Sequence, residues 1–132
     1  MGKRRALGLL LCLLLLLCTA CGGRTQNDTG DLHCTVTIEC ATVLAHMDDL
    51  SPGKAEIVPA DGVLLPETVV AFSEGDTVFD VLQRVCRAQG IHMESNWTPA
   101  YNSAYIEGIG NLYEFDCGNL SGWMYSVNGV WP

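Results

Sequence analysis

Gly75-Asp76-Thr77-Val78-Phe79-Asp80-Val81-Leu82-Gln83-Arg84-Val85-Cys86-Arg87-Ala88-Gln89-Gly90 is the stretch on which the fold turns. Thr77 and Asp80 stand in capping-box spacing, with Asp in place of the usual Glu. Val78, Val81, Leu82, Val85 and Cys86 recur at i, i+3, i+4, i+7 and i+8, which draws one apolar stripe along a helix. Gly90 supplies a left-handed cap at its end. The spacing predicts a helix over about residues 77–89 with Cys86 turned to the core.

Upstream, Cys34, Val36, Ile38 and Cys40 alternate with Thr35, Thr37 and Glu39, the pattern of a half-buried strand over 34–40. Val43, Leu44, Met47 and Leu50 have helical spacing, and Ser51-Pro52-Gly53 ends that stretch. A loop with Pro59, Asp61-Gly62 and Pro66 leads to a second strand, Thr68–Phe72. Beyond Gly90 four strand-like segments follow: Ile91–Asn96, Ala104–Glu107, Leu112–Phe115 and Gly122–Val127. Gly108, Gly110, Gly118 and Asn128-Gly129 punctuate them. A strand pair, one amphipathic helix and later strands make the class α+β. Asn128-Gly129 is a hairpin signal that asks for a returning strand. Only Val130-Trp131-Pro132 follow, so the domain, residues 34–132, is expected to be incomplete at its C-terminal end.

The first residues read differently. Lys3, Arg4 and Arg5 precede the apolar run Ala6–Leu17, too short for a comfortable membrane span of about 20 residues. Residues 1–20 are read as a secretory signal peptide, with a short membrane anchor as the alternative. Leu17-Cys18-Thr19-Ala20-Cys21-Gly22-Gly23 resembles a bacterial lipobox. In that motif the Cys, here Cys21, is diacylated and becomes the new N-terminus; ordinary cleavage at the same place is the alternative. Two acyl chains hold a protein stably on a membrane. Residues 21–33 then form a flexible tether, reaching roughly 18 Å for about ten residues. The expected location is outside the cell, anchored to the membrane by lipid. Once the leader is removed, four basic residues face 15 acidic ones, a net charge of 4 − 15 = −11. That balance excludes nucleic acid as a partner, because its phosphates are bound mainly through Lys and Arg. It also excludes electrostatic docking on anionic lipid.

Cys34, Cys40, Cys86 and Cys117 remain, an even number for an oxidising compartment, and disulfides are the favoured reading. Zinc is the alternative, but no C-x-x-C pair occurs and His33, His46 and His92 lack ligand spacing. On one strand Cys34 and Cys40 would lie about 20 Å apart at ~3.3 Å per residue. Bridged Cα atoms need to be within ~7 Å. These two are therefore expected not to pair.

Catalytic signatures are missing: there is no G-x-S-x-G, no H-E-x-x-H and no phosphate-binding glycine loop. The close acid pairs are Asp48-Asp49 and Glu114/Asp116; the latter share a face if they lie on a strand, as solvated strand carboxylates also do. An enzyme is not expected. Aromatic density is the unusual feature. Eight of the ten aromatic residues fall in residues 97–131. They suit a concave site for a planar or amphipathic ligand, or ordinary β-sheet packing.

Three stretches together resemble the transcobalamin-like C-terminal domain family, whose bacterial lipoprotein members were long classed as a domain of unknown function. They are Gly75-Asp-Thr-Val-Phe-Asp-Val-Leu82, Tyr105-Ile-Glu-Gly-Ile-Gly110 and Gly122-Trp-Met-Tyr-Ser-Val-Asn-Gly129. The resemblance covers about residues 34–132 and implies a β-grasp-like fold, a small mixed sheet packed on one main helix. In the vertebrate vitamin B12 carriers the matching small domain closes over cobalamin with its segment near the tryptophan hairpin. A large helical domain supplies the other half of that site, and these 132 residues do not contain it. The resemblance implies a lipid-anchored binding module that presents a small ligand, with cobalamin or another corrinoid as candidates, to a membrane transporter. Trp123 and Tyr125 are the first candidate contacts, followed by Trp131 and Tyr105. No metal or cofactor of its own is implied. The alternative is an adhesion or scaffolding module whose aromatics contact protein or cell-wall glycan.

Overall fold

The computed structural model describes residues 32–132. The expected signal peptide, the expected lipidation site Cys21 and the expected tether up to residue 31 lie outside the described residues. Leu32 and His33, expected at the end of the tether, already belong to the first strand.

The helix forms where the sequence places it. Helix α1 spans Val78–Gln89, with Thr77 as N-cap. The Thr77 hydroxyl accepts from the Asp80 amide at 3.2 Å, and the Asp80 carboxylate accepts from the Thr77 amide at 2.8 Å. Gly90 closes the helix at φ +67°, and the Ile91 amide donates to the Cys86 carbonyl at 2.9 Å. Those bonds satisfy groups that every helix end leaves open. Arg84 ties the helix to the turn before it, donating to the Ala71 carbonyl and to the Asp76 carboxylate, each at 2.8 Å.

Strand β1 (Leu32–Glu39) pairs antiparallel with β2 (Val63–Phe72). β2 starts five residues earlier than the expected Thr68. Its register jumps between Val36↔Thr68 and Ile38↔Leu65, and the bulge there takes up Pro66, which has no amide to give to a ladder. The expected helical stretch at 43–50 is two 3-10 turns, Ala41–Ala45 and Met47–Asp49. Leu44, Met47 and Leu50 are spaced by three, the 3-10 period. A third such turn covers Ala55–Ile57. Gly62 then lets the chain return tightly: φ is +71°, and a Cβ there would stand 2.5 Å from the Ala41 Cα.

After α1 the chain forms β3 (Met93–Thr98), β4 (Ser103–Ile109) and a two-residue β5 (Leu112–Tyr113), antiparallel in that order. The α+β class is observed. Its strands make two antiparallel sheets, β1-β2 and β3-β4-β5, where the resemblance implies a single mixed one. Every ladder joins strands consecutive in the chain. The α1 crossover delivers β3 to a place where it does not bond to β1 or β2. The expected strand Gly122–Val127 has no ladder among the described residues, only a bridge from Val127 to Val130. Those two residues exchange amide bonds of 2.9 and 3.0 Å around Asn128 and Gly129, at φ +51° and +78°. Positive φ at both central residues is the type I′ geometry expected of Asn-Gly.

The sheets meet over α1. Ile38, Leu65, Val70, Val81, Val85, Cys86 and Ile109 form the main core. A smaller cluster of Cys40, Val43 and Leu112 lies beneath the 3-10 turns.

Candidate binding surface

The four candidate aromatics separate by environment. Trp123 is half-buried and packs against both clusters. Its indole N–H donates to the Leu112 carbonyl at 2.9 Å. Tyr125 is 51% exposed and Trp131 61%. Tyr105 on β4 is 49% exposed, and its hydroxyl is held by the Glu114 carboxylate, which raises the phenol above its ordinary pKa. Trp123 thus fastens a segment whose following residues are open to solvent: Met124, Tyr125, Val127, Val130 and Trp131, with Leu120 before them. Isolated exposed apolar residues are ordinary, whereas a run of this kind marks an interaction surface. Trp97 and Tyr101, on β3 and the turn after it, are also exposed.

Beside this segment is a polar post that sequence spacing does not announce. Lys54 follows the Ser51-Pro52-Gly53 turn. Its ammonium lies 3.0 Å from the Asp116 carboxylate, donates to the Asn111 carbonyl at 2.7 Å and sits 4.8 Å from the centre of the Tyr113 ring. Asp116 also accepts from the Tyr113 amide at 2.8 Å. Partial burial works against the charged carboxylate, but the Tyr113 amide and Lys54 outweigh it and hold Asp116 below the ordinary aspartate pKa. The Tyr113 hydroxyl donates to Glu94 at 2.7 Å, and His92 Nε2 lies 2.9 Å from the same carboxylate oxygen. These two partners lower the Glu94 pKa, and Glu94 raises that of Tyr113. His92, about half exposed, is part of this chain of hydrogen bonds.

The acid pair Glu114/Asp116 does not share a strand face. β5 ends at Tyr113, and Phe115 takes φ +66°. That reversal sends Glu114 to Tyr105 and Asp116 to Lys54. Both carboxylates are therefore engaged in fastening loops to strands. Among the described residues no group of three or more His, Cys, Asp or Glu is placed to hold a metal ion. No described helix is long and apolar enough to cross a membrane.

Cys34, Cys40, Cys86 and Cys117 are all free thiols. Cys34 is held by the Val70 carbonyl at 3.8 Å and Cys117 by the His46 carbonyl at 3.4 Å. Burial pushes the Cys40 and Cys86 thiols above their ordinary pKa. A cleft of about 180 Å³ lies between the end of α1 and the start of β3, lined by Gln83, Cys86, Arg87, Ile91, Met93 and Ser95. None of the four candidate aromatics borders it.

This geometry can be set beside known proteins. Residues 75–132 match the family described as "Domain of unknown function (DUF4430)". The DUF4430 match begins at the turn before α1 and takes in β3, β4, β5, Trp123 and the exposed aromatic segment. β1 and β2, which share the main core with α1, precede it. No curated protein and no solved structure matches the chain.

Proposed function

We propose that this chain is a lipid-anchored extracytoplasmic binding module that presents a small ligand to a membrane transporter. One observation carries the reading. Trp123 fastens the C-terminal segment to both clusters, while Tyr125 and Trp131 beyond it are open to solvent. Rigid, flat side chains with polar tips grip a planar or amphipathic ligand at low entropic cost. Cobalamin or another corrinoid is the first ligand to test, because the motifs around Trp123 and Tyr105 resemble those of the transcobalamin-like C-terminal domains. Tyr125 and Trp131 are the contact residues, Tyr105 flanks them, and Trp123 positions the segment. Lipid on Cys21 keeps the module at the membrane.

The test is a titration of the full chain with cyanocobalamin, followed by the visible spectrum and by co-elution on gel filtration. A shift abolished by Tyr125→Ala and Trp131→Ala supports the reading; an unchanged spectrum with no co-elution removes corrinoids as ligands. Labelled fatty acid should enter the wild-type chain and not Cys21→Ala. Failure to label the wild type would overturn the lipid anchor.

A second reading is favoured by the openness of the same segment. The 180 Å³ cleft lies elsewhere, and a row that includes Leu120, fully exposed, suits the flat surface of a protein or a cell-wall glycan. Retention of the chain on purified peptidoglycan, lost in Tyr125→Ala, would select this adhesion or scaffolding role.

A further inference from the structure

The four described cysteines divide evenly between the two apolar clusters. Cys86 is buried in the main core, and Cys34 packs against that core from β1. Cys40 is buried in the smaller cluster, and Cys117 packs against it from the turn after β5. Each cluster therefore holds one buried thiol and one partly exposed thiol.

We propose that the oxidised protein carries two disulfides, Cys34–Cys86 and Cys40–Cys117. Four cysteines allow three connectivities. Cys34 lies near the start of β1 and Cys40 directly follows its last residue, Glu39, so the two are six residues and about 20 Å apart along the strand direction, which removes Cys34–Cys40 with Cys86–Cys117. Cys34–Cys117 with Cys40–Cys86 would require each thiol to leave its own cluster and cross to the other. Bridges close only when Cα atoms come within ~7 Å, so that arrangement asks for displacements that pairing within a cluster does not. Pairing within clusters leaves the two sheets and α1 in place. Cys34–Cys86 would join β1 to α1. Cys40–Cys117 would join the end of β1 to the turn that carries the aromatic segment.

The chemistry is thiol–disulfide exchange with a small-molecule disulfide or an oxidoreductase disulfide as oxidant. The partly exposed thiol of each pair, Cys34 or Cys117, loses its proton and attacks the oxidant, releasing one thiolate and leaving a mixed disulfide. The buried partner, Cys86 or Cys40, then loses its proton and displaces the second thiolate. Two protons and two electrons leave each pair, and the oxidant departs as two thiols. The inference goes beyond the proposed function and holds whatever the ligand is.

The experiment uses the full chain with Cys12→Ser, Cys18→Ser and Cys21→Ser, equilibrated with oxidised glutathione and quenched with N-ethylmaleimide. It is then digested without reductant by a glutamyl endopeptidase. Cleavage after Glu39 separates Cys34 from Cys40, so mass spectrometry distinguishes all three connectivities. Linked peptides Cys34–Cys86 and Cys40–Cys117 are expected as the main products. Any other pairing as the main product, or four alkylated thiols, overturns the proposal. In Cys40→Ser, Cys117 should become alkylated while Cys34–Cys86 persists. Loss of both bridges in a folded variant would also count against independent pairs. If that variant does not fold, the parent digest decides alone.

Discussion

Trp123→Ala tests whether Trp123 is a fastening residue or a free contact. A packed aromatic buries roughly 150–250 Å², so a half-buried tryptophan keeps about 100 Å² from water. At ~25 cal/mol per Å² that contributes about 2.5 kcal/mol. The indole bond to the Leu112 carbonyl adds about 1 kcal/mol. Trp123→Ala should therefore cost about 3–4 kcal/mol, a large part of the ~5–15 kcal/mol available to a small domain. For a domain of this size each kcal/mol lowers Tm by ~4–8 °C. Trp123→Phe retains most of the apolar contact and loses the bond, so it should cost about 1–2 kcal/mol. Urea unfolding followed by circular dichroism measures both without depending on tryptophan emission. Trp131→Ala is the control, expected within ~0.5 kcal/mol of wild type because it removes an exposed side chain. A Trp123→Ala protein as stable as wild type would refute the reasoning and return Trp123 to the list of surface contacts.

Three further outcomes are expected. Thr77→Ala removes the side chain that caps α1 and should cost about 1 kcal/mol, read as a lower urea midpoint; no change would mean the cap is redundant with Gly90 and Arg84. Gly62→Ala should cost at least ~2 kcal/mol, because it combines a positive φ with a backbone clash against Ala41; a soluble variant with unchanged melting would show that the 62–63 turn can relax. Asp116, whose folded pKa is depressed, contributes stability above the ordinary aspartate value of ~3.9 that is lost as pH falls through its lower folded pKa. Asp116→Asn should therefore flatten the acid side of the stability profile, and identical acid midpoints for variant and wild type would exclude the Lys54–Asp116 pair as its source.

What is legible in the sequence follows from the range of each interaction. α1 could be read almost residue by residue, since its cap, stripe and terminating glycine act within four positions of one another. The Asn128-Gly129 turn was equally readable, because left-handed φ at two successive residues is a local property. Alternation locates β1 to within two residues at its start and one at its end, since the strand runs from Leu32 to Glu39 and leaves Cys40 just beyond it. The sequence pattern starts β2 five residues late, at Thr68 where the strand begins at Val63, because Pro66 signals a break in a one-dimensional pattern. In the sheet it sits at a bulge opposite β1, where its missing amide costs nothing.

The sequence alone determined the α+β class, the acidic balance and the elements whose bonds close within a turn. Tertiary structure decided which strands bond and which aromatics face solvent. Trp123, Tyr125 and Trp131 are alike as letters in a sequence. Only the approach of Leu112, two clusters and a free carbonyl makes the first a fastening residue and leaves the others open. In the same way Lys54, Tyr113, Asp116, Glu94 and His92 are scattered over 63 positions, and a hydrogen bond has no sequence signature until folding brings donor and acceptor within about 3 Å. Local geometry is written in neighbouring residues. Burial and long-range pairing depend on the whole chain, because each side chain's share of water is set by every segment that packs against it.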